Sequence, residues 1–437
     1  MDPSCYLVCR VPALPGLASS STIARLLFIS IKKHMFRLLT FTSLYPNAVQ
    51  PRHGLFVEER LRQLLAVEDM VARVVAPVPW FPFRNKRWGA YSVFARVPES
   101  EERHGIQIEH PRYPVIPKLG MSMAPWLMYR SLLSMLRRLQ SQGQDYDLID
   151  AHYIYPDGVA AVRLGQRLGK PVVITARGTD VTLIPRYRLP RRQILWAVEH
   201  AAAIVTVSKA LKQSLVTLGV APDRITVLRN GVDLGRFRPL AQTNIRRRMS
   251  LTGPVWLSVG HLVELKGVHI VIKALAKVSG VTLLVAGSGP QEGRLRRLAD
   301  RLAVSDRVRF LGEIPHDELD EYYNAADALM LASSREGMPN VVLEALACGT
   351  PVIATCVGGT PELVSSPDAG ELMQERTPDA LVLAWKKLQA RKPERASTRA
   401  FAEKFGWEPT TRGLEALFTR VLPESGNQQG IDGLKNP

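Results

Sequence analysis

Short apolar segments alternate with helical stretches along most of this chain, in two successive sets, and that alternation limits the available folds more than any other feature. The first set begins at Met35 with FRLLTFTSLYPN, a strand ending in a Pro-Asn turn, and continues with Val71–Val75, Asp147–His152, Pro171–Thr175 and Ala203–Val207. Periodicity fades near Phe237-Arg-Pro239 and then restarts. Val255–Val259, Thr282–Ala286, Val308–Leu311, Ala328–Leu331 and Pro351–Ala354 form the second set, with helical segments such as Gln291–Ala303 between them. Strands joined by helices of this length form parallel sheets covered on both faces. At 437 residues the chain exceeds one ordinary core and suits two. The expected class is therefore α/β: two doubly wound domains, residues 35–238 and 239–400, facing across a cleft. In such sheets ligands collect at the carboxyl ends of the strands. Residues 1–34 read as a peripheral extension, or as the product of a start codon upstream of Met35. Their apolar run Ala24–Ile31 is too short to span a bilayer. Residues 423–437, rich in Gly, Asn and Gln, are expected to be disordered.

Charge is distributed unevenly. The formal net charge is +17, and residues 1–240 hold 33 Lys/Arg against 17 Asp/Glu, so nearly the whole excess lies in the first half. A basic first domain favours anionic partners: nucleic acid, acidic headgroups or a phosphate-bearing substrate. No run of apolar residues is long enough for a membrane-spanning helix. The four cysteines, Cys5, Cys9, Cys348 and Cys356, match no zinc spacing and suggest a reduced, cytoplasmic compartment.

The segment with the most chemistry is Ser333-Ser-Arg-Glu336-Gly-Met-Pro339-Asn-Val-Val-Leu-Glu344-Ala-Leu-Ala-Cys-Gly349. A strand ends, a loop follows, and Pro339 occupies the first helical position; Gly349 and Pro351 stop the helix. The segment Gly337-Met338-Pro339-Asn340-Val341 then carries backbone N–H groups around a helix N-terminus, a site suited to a diphosphate. Glu336 before the helix and Glu344 in its second turn can face different hydroxyls of one ligand. Taken alone, two such carboxylates equally describe a helix with a solvated Glu at each end.

Glu-x7-Glu within EGMPNVVLEALACGTPVIATCVGGTPELV resembles the donor-site signature of the family 4 retaining glycosyltransferases, of bacterial surface-polysaccharide type, which have the two-domain, Rossmann-like GT-B fold. Further pieces match in order. Val259-Gly260-His261-Leu-Val-Glu-Leu-Lys266-Gly267 resembles the loop that grips the donor diphosphate. Val285-Ala-Gly287-Ser-Gly289-Pro, Val308-Arg309-Phe-Leu311-Gly312 and Asn230-Gly-Val-Asp233 also fit, and Phe405-Gly-Trp407-Glu resembles the start of a final helix, residues 401–422, that returns to the first domain. The resemblance covers about Met35 to Leu422. It implies a nucleotide-sugar donor that is a co-substrate, with no cofactor and no metal, and it places Gly260, His261, Gly287, Arg309 and Leu311 on the donor side. Lys266 is then the positive charge opposite a leaving diphosphate.

The match has two departures. Where the family commonly has Arg five residues before the Lys, this chain has His261, a weaker partner for a diphosphate. Where many members have His-Gly, this chain has Arg177-Gly178. Arg177 cannot act as a base at neutral pH. It is a candidate for stabilising the departing phosphate; a structural salt bridge with Asp180 is the equal alternative. In the same domain, Gly54 in Pro51-Arg-His-Gly54 lets backbone approach a ligand. His152 either positions the acceptor hydroxyl or shapes its loop, and Asp180 joins it on the acceptor side.

These readings lead to transfer of a hexose-type sugar to a glycan or lipid-linked acceptor, with Glu336, Lys266 and Arg177 as the catalytic set. The acceptor is expected on the basic first domain, where Trp80–Trp88, Trp126–Arg138 and Tyr187–Trp196 mix aromatic and basic residues suited to an anionic membrane surface. A nucleotide-sugar epimerase of the same fold is the main alternative. No nucleic-acid recognition motif is present, so nucleic acid is not an expected partner.

Overall fold

The computed structural model describes residues 36–422 except 67–69, 84, 86, 88–90 and 116–119. The expectations for residues 1–34 and 423–437, and for Arg84, Lys86 and Trp88, lie outside the described residues.

Among the described residues two large sheets carry the fold, beside a two-stranded one that pairs Val78–Pro79 with Arg112–Tyr113. The first contains β1 (Phe36–Phe41), β2 (Met70–Val75), β3 (Ser100–Arg103), β4 (Ile106–Glu109), β5 (Leu148–His152), β6 (Val172–Ala176), β7 (Ala203–Thr206) and β8 (Ile225–Val227). Its spatial order is β8-β7-β6-β5-β1-β2-β4-β3. The second contains β9 (Val255–Val259), β10 (Thr282–Ala286), β11 (Val308–Gly312), β12 (Ala328–Leu331), β13 (Val352–Thr355) and β14 (Gly370–Met373), in the order β11-β10-β9-β12-β13-β14. Every pairing is parallel except β3 with β4. In the second sheet the order reverses between β9 and β12, so a crevice opens between the loops after Val259 and Leu331. The first sheet reverses between β1 and β5, which opens a second crevice after Phe41 and His152.

The strands β5, β6, β7, β12 and β13 are buried at every residue, as expected of strands covered on both faces. The hairpin of β3 and β4 was not foreseen. Its strands, SEER and IQIE, carry too many charges to stand out as apolar runs. The turn is local chemistry: His104 and Gly105 have φ of 51° and 76°, the left-handed pair of a two-residue hairpin turn. Charged residues on the outermost strand also discourage edge-to-edge pairing.

Five helices matter for the site: α1 (Leu55–Leu65), α2 (Gly120–Ser141), α3 (Arg188–His200), α4 (Asn340–Ala347) and α5 (Glu408–Val421). Although α5 ends the described chain, its Leu414, Leu417 and Phe418 share a core with Leu38, Val57, Leu61 and Val74 of the first domain. Phe418 stacks on Phe36 with ring centroids 6.0 Å apart. Burying three such side chains contributes roughly 5–8 kcal/mol at most, enough to hold the C-terminal segment on the first domain. Among the described residues no helix is long and apolar enough to cross a membrane.

Candidate functional site

The two crevices face one another, and backbone contact closes them at one point. A Cβ on Gly337 would lie 2.0 Å from the Arg177 carbonyl oxygen, so the loop before α4 touches the loop after β6 through a residue with no side chain. Beside this contact is a cavity of about 280 Å³ lined by Arg177, Asn230, Lys266, Glu336, Asn340 and their neighbours.

Lys266 and Glu336 come from distant segments and meet at 2.7 Å, Nζ to Oε1. The packing that brings them together is glycine-dependent. Gly267 has φ 71°, and any Cβ there would fall 2.0 Å from the Ala332 carbonyl oxygen, so the Lys266–Gly267 turn lies flat on the end of β12. The Ser334 N–H donates to the Leu265 carbonyl at 2.8 Å. Behind Glu336, the loop after β13 presses in at Gly358, whose Cβ would stand 1.7 Å from the Glu336 carbonyl oxygen. The ion pair is charge-assisted and largely shielded, with the Glu336 side chain 9% exposed.

Helix α4 starts at Asn340, with Pro339 as its N-cap. This corrects the expected first helical position by one residue. Pro339 also has no N–H, so the donors near the helix N-terminus are those of Gly337, Met338, Asn340 and Val341. The Met338 side chain is buried in the main core. Glu344 is buried within α4 and fixed by two partners: the Tyr323 hydroxyl donates to Oε2 at 2.6 Å, and His316 Nε2 lies 3.1 Å from Oε1. Burial, and next the Glu344 charge, push the Tyr323 hydroxyl well above its usual pKa, so it remains a donor. Glu344, His316, Asn340 and Val341 line a second cavity of about 190 Å³, which Arg52 and Phe56 of the first domain complete.

Arg177 is at the head of a polar chain. One terminal nitrogen donates to Asn230 Oδ1 at 2.9 Å, and the other to His152 Nδ1 at 2.7 Å. Asn230 Nδ2 then donates to Asn340 Oδ1 at 2.9 Å, which carries the chain across to the start of α4. The guanidinium lies over the Phe56 ring, 4.9 Å from its centroid. Because Arg177 only donates, Nδ1 of His152 accepts, and its Nε2–H faces Asp150 Oδ2 at 3.1 Å. Burial pushes the His152 imidazole down to about 4, so it is neutral at ordinary pH. Burial, and then the neighbouring Arg60 charge, weaken the Arg177 cation. Burial opposes the charge of Asp150 too, yet His152, Arg60 and Arg177 together hold that carboxyl below its usual range. Arg60 is itself fully buried, with none of its side-chain nitrogens hydrogen-bonded to protein.

Several expectations need correction. Asp180 does not pair with the Arg177 side chain and does not face an acceptor. It is fully buried, and its oxygens accept the N–H groups of Ile154, Arg177 and Gly178, so it staples the loops after β5 and β6. His152 is likewise 1% exposed and saturated by Asp150 and Arg177; of its two readings, the structure gives the one in which it shapes its surroundings. Arg309 lines neither of these two cavities nor the large opening between the domains, and instead donates its guanidinium to the carbonyls of Met249 and Ser250 at 2.7 and 2.9 Å. Leu311 packs against the main core. Gly54 has φ 73° because its Cβ would lie 2.1 Å from the Leu44 carbonyl oxygen, so a loop contact, not a ligand, requires glycine there. It does line the large opening between the domains, along with Gly260, His261 and Gly287. Gly287 is pressed on Gly260, where a Cβ would be 2.0 Å from the Gly260 carbonyl oxygen. His261 is exposed in that opening, whereas Arg177 shares its cavity with Lys266.

Sequence reasoning missed Asn230 as a link, and missed Phe56, His316 and Tyr323 as supports. Asn230 was visible within Asn-Gly-Val-Asp. The others act through long-range contacts for which no local spacing exists.

Comparisons with known proteins find matches for both halves of the chain. Residues 242–405 match the family model described as Glycosyl transferases group 1, and residues 90–236 match that for Glycosyltransferase Family 4. A Bacillus subtilis protein, TuaC, named as a teichuronic acid biosynthesis glycosyltransferase, is 31% identical over 337 residues, covering 75% of this chain and 82% of its own. A D-inositol 3-phosphate glycosyltransferase from Acidothermus cellulolyticus is 34% identical over 310 residues, covering 64% of this chain and 68% of its own. Among solved structures, Anabaena HepE in complex with UDP superposes with a TM-score of 0.68 at 20% identity, covering 88% of this chain and all of that one.

Proposed function

The chain belongs to the group 1, family 4 glycosyltransferases of GT-B fold, and on that premise we propose that it transfers a hexose-type sugar, with retention of anomeric configuration, from a nucleotide-sugar to a glycan or lipid-linked acceptor in cell-surface polysaccharide synthesis. The observation that carries the proposal is the convergence of Lys266, Glu336, Arg177 and the start of α4 on one cavity, with Glu344 lining the next. The nucleoside binds along Glu344, and the diphosphate lies at the α4 N-terminus against Lys266. Arg177 supplies the cation that His261 does not, and the leaving phosphate is stabilised without a required metal or cofactor.

Retention by a front-face route is supported by the carboxylate inventory. Glu336 is the one carboxylate among the described residues lining the Lys266 cavity, and Lys266 already holds it. Asp180 is occupied by backbone N–H groups. The protein's task is then to position both substrates and stabilise charge, while the departing phosphate oxygen takes the acceptor proton. The relatives named for teichuronic acid synthesis and for inositol phosphate glycosylation support anionic acceptors, as does the basic first domain. The test is the anomeric configuration of the product, read by NMR with a donor of known anomer. A retained anomer supports the reading. An inverted anomer refutes the front-face route, and an epimerised donor with no transfer refutes the function.

A further inference from the structure

Among the described residues, nine large apolar side chains are exposed, and five of them cluster at the starts of two neighbouring helices. Met121, Met123 and Trp126 lie in the first two turns of α2; Tyr187 and Leu189 open α3. Trp126, Tyr187 and Leu189 are each about half exposed, at 48%, 52% and 50%. The two helices are joined by a hydrogen bond from Gln193 Nε2 to the Ser122 carbonyl at 3.2 Å. Their inner faces are committed to the main core through Leu127, Met128, Leu132, Ile194 and Ala197. The exposed apolar side chains are thus surplus to the fold.

Arginine surrounds this apolar cluster. Arg186, Arg188, Arg191 and Arg192 are exposed along the start of α3, and Arg130 lies 5.8 Å from the Trp126 ring centroid. No Asp or Glu occurs between residues 110 and 144 or between 181 and 198. Solvated surfaces normally intersperse both signs of charge; a one-sign rim around exposed aromatics and methionines fits an interface that is apolar at depth and anionic above it. That pairing is the chemistry of a bilayer with acidic headgroups.

The location gives the patch a purpose. Both helices run back toward the amino ends of the strands that follow them, β5 and β7, so their starts lie at the carboxyl edge of the first sheet. The Tyr155 hydroxyl, just after β5, donates to the Met121 carbonyl and ties α2 to that edge. The cleft opens along the same edge.

We propose that Met121, Met123, Trp126, Tyr187 and Leu189, rimmed by Arg130 and the α3 arginines, dock the first domain on an anionic lipid surface with the cleft beside it. The docking rests on the patch alone. Only its purpose, delivery of a lipid-linked acceptor, rests on the transfer reading above.

The test is co-sedimentation of the full chain with phosphatidylcholine vesicles, with and without phosphatidylglycerol. Binding is expected only with the acidic lipid and is expected to weaken as salt rises. Trp126→Ser with Leu189→Ser should abolish it. Arg188→Gln with Arg191→Gln and Arg192→Gln should weaken it on the order of a hundredfold. Both variants should retain wild-type thermal stabilisation by nucleotide-sugar, which reports the transferase site separately. Absence of vesicle binding overturns the proposal, as does binding unchanged in both variants. A concentration-dependent dimer that Trp126→Ser and Leu189→Ser dissolve would assign the patch to a second copy and overturn it as well.

Discussion

Replacing Lys266 by Ala separates stability from chemistry at the proposed site. In the structure Lys266 Nζ lies 2.7 Å from Glu336 Oε1, with the two side chains 26% and 9% exposed. Removing the lysine leaves a shielded carboxylate without its cation. A fully buried pair broken this way costs roughly 3–5 kcal/mol, and solvent screening at the lysine reduces the expected loss to about 1–2 kcal/mol, a drop of a few degrees in Tm. The catalytic loss is larger, because one charge donor aimed at a leaving group contributes roughly 10²–10³ in kcat. The two effects part company in the double variant Lys266→Ala/Glu336→Gln. Without a stranded carboxylate its Tm should recover toward wild type, while turnover stays low. Release of nucleoside diphosphate in the presence of acceptor reports kcat, and a thermal melt reports stability. Near-normal turnover in Lys266→Ala would refute the assignment of Lys266 to the diphosphate. Recovery of turnover together with Tm in the double variant would show that Lys266 is only a structural partner of Glu336.

Glu344→Ala removes the acceptor of a buried Tyr323 hydroxyl and one wall of the nucleoside cavity, so donor KM should rise at least about tenfold, with about 1–3 kcal/mol lost from stability; unchanged KM would move the nucleoside elsewhere. Arg177→Lys keeps the charge but not the fork that bonds Asn230 and His152 together, and should lower kcat about tenfold in steady-state assays, with Arg177→Ala lower still. Gly337→Ala drives a Cβ to 2.0 Å from the Arg177 carbonyl oxygen and should cost most of the activity through loss of domain contact, a change visible in small-angle scattering. Asp157 gives a pH signature. Burial raises its carboxyl from 3.8 to about 7, with Ser43 its one hydrogen-bonding side chain. The folded protein therefore holds a proton that the unfolded chain releases between about pH 4 and 7, and this contribution to stability is lost as pH rises through that window. Asp157→Asn should raise Tm more at pH 8 than at pH 5. His152 acts in the opposite sense, its neutral folded form losing stability as pH falls from 6.5 toward about 4, so removing the Asp157 carboxyl should expose that rise with pH.

Much of the fold was legible because buried parallel strands are written as continuous apolar runs. Val255–Val259, Thr282–Ala286 and Ala328–Leu331 have the same bounds in the structure as in the sequence. The charged hairpin of β3 and β4 was missed for the complementary reason, since its strands are only half buried. At the site, the glycines and the Glu-x7-Glu spacing marked the loops that meet at the cavity, because close backbone contact demands glycine at fixed places. Partnership was not legible. Nothing local tells that Asp180 reaches the Ile154 N–H, that Arg309 bonds the Met249 carbonyl, or that Asn230 joins Arg177 to Asn340. Those facts depend on strands brought together from far apart in the chain.

The central claim is that a nucleotide-sugar binds between Lys266, the start of α4 and Glu344. Thermal stabilisation by a panel of nucleotide-sugars, measured on the wild-type chain and on Glu344→Ala, tests it most directly. At least one nucleotide-sugar should raise the wild-type Tm in a concentration-dependent way, and Glu344→Ala should sharply reduce the shift at the same ligand concentration. A panel that leaves the wild-type Tm unmoved, or a shift that survives intact in Glu344→Ala, would contradict it.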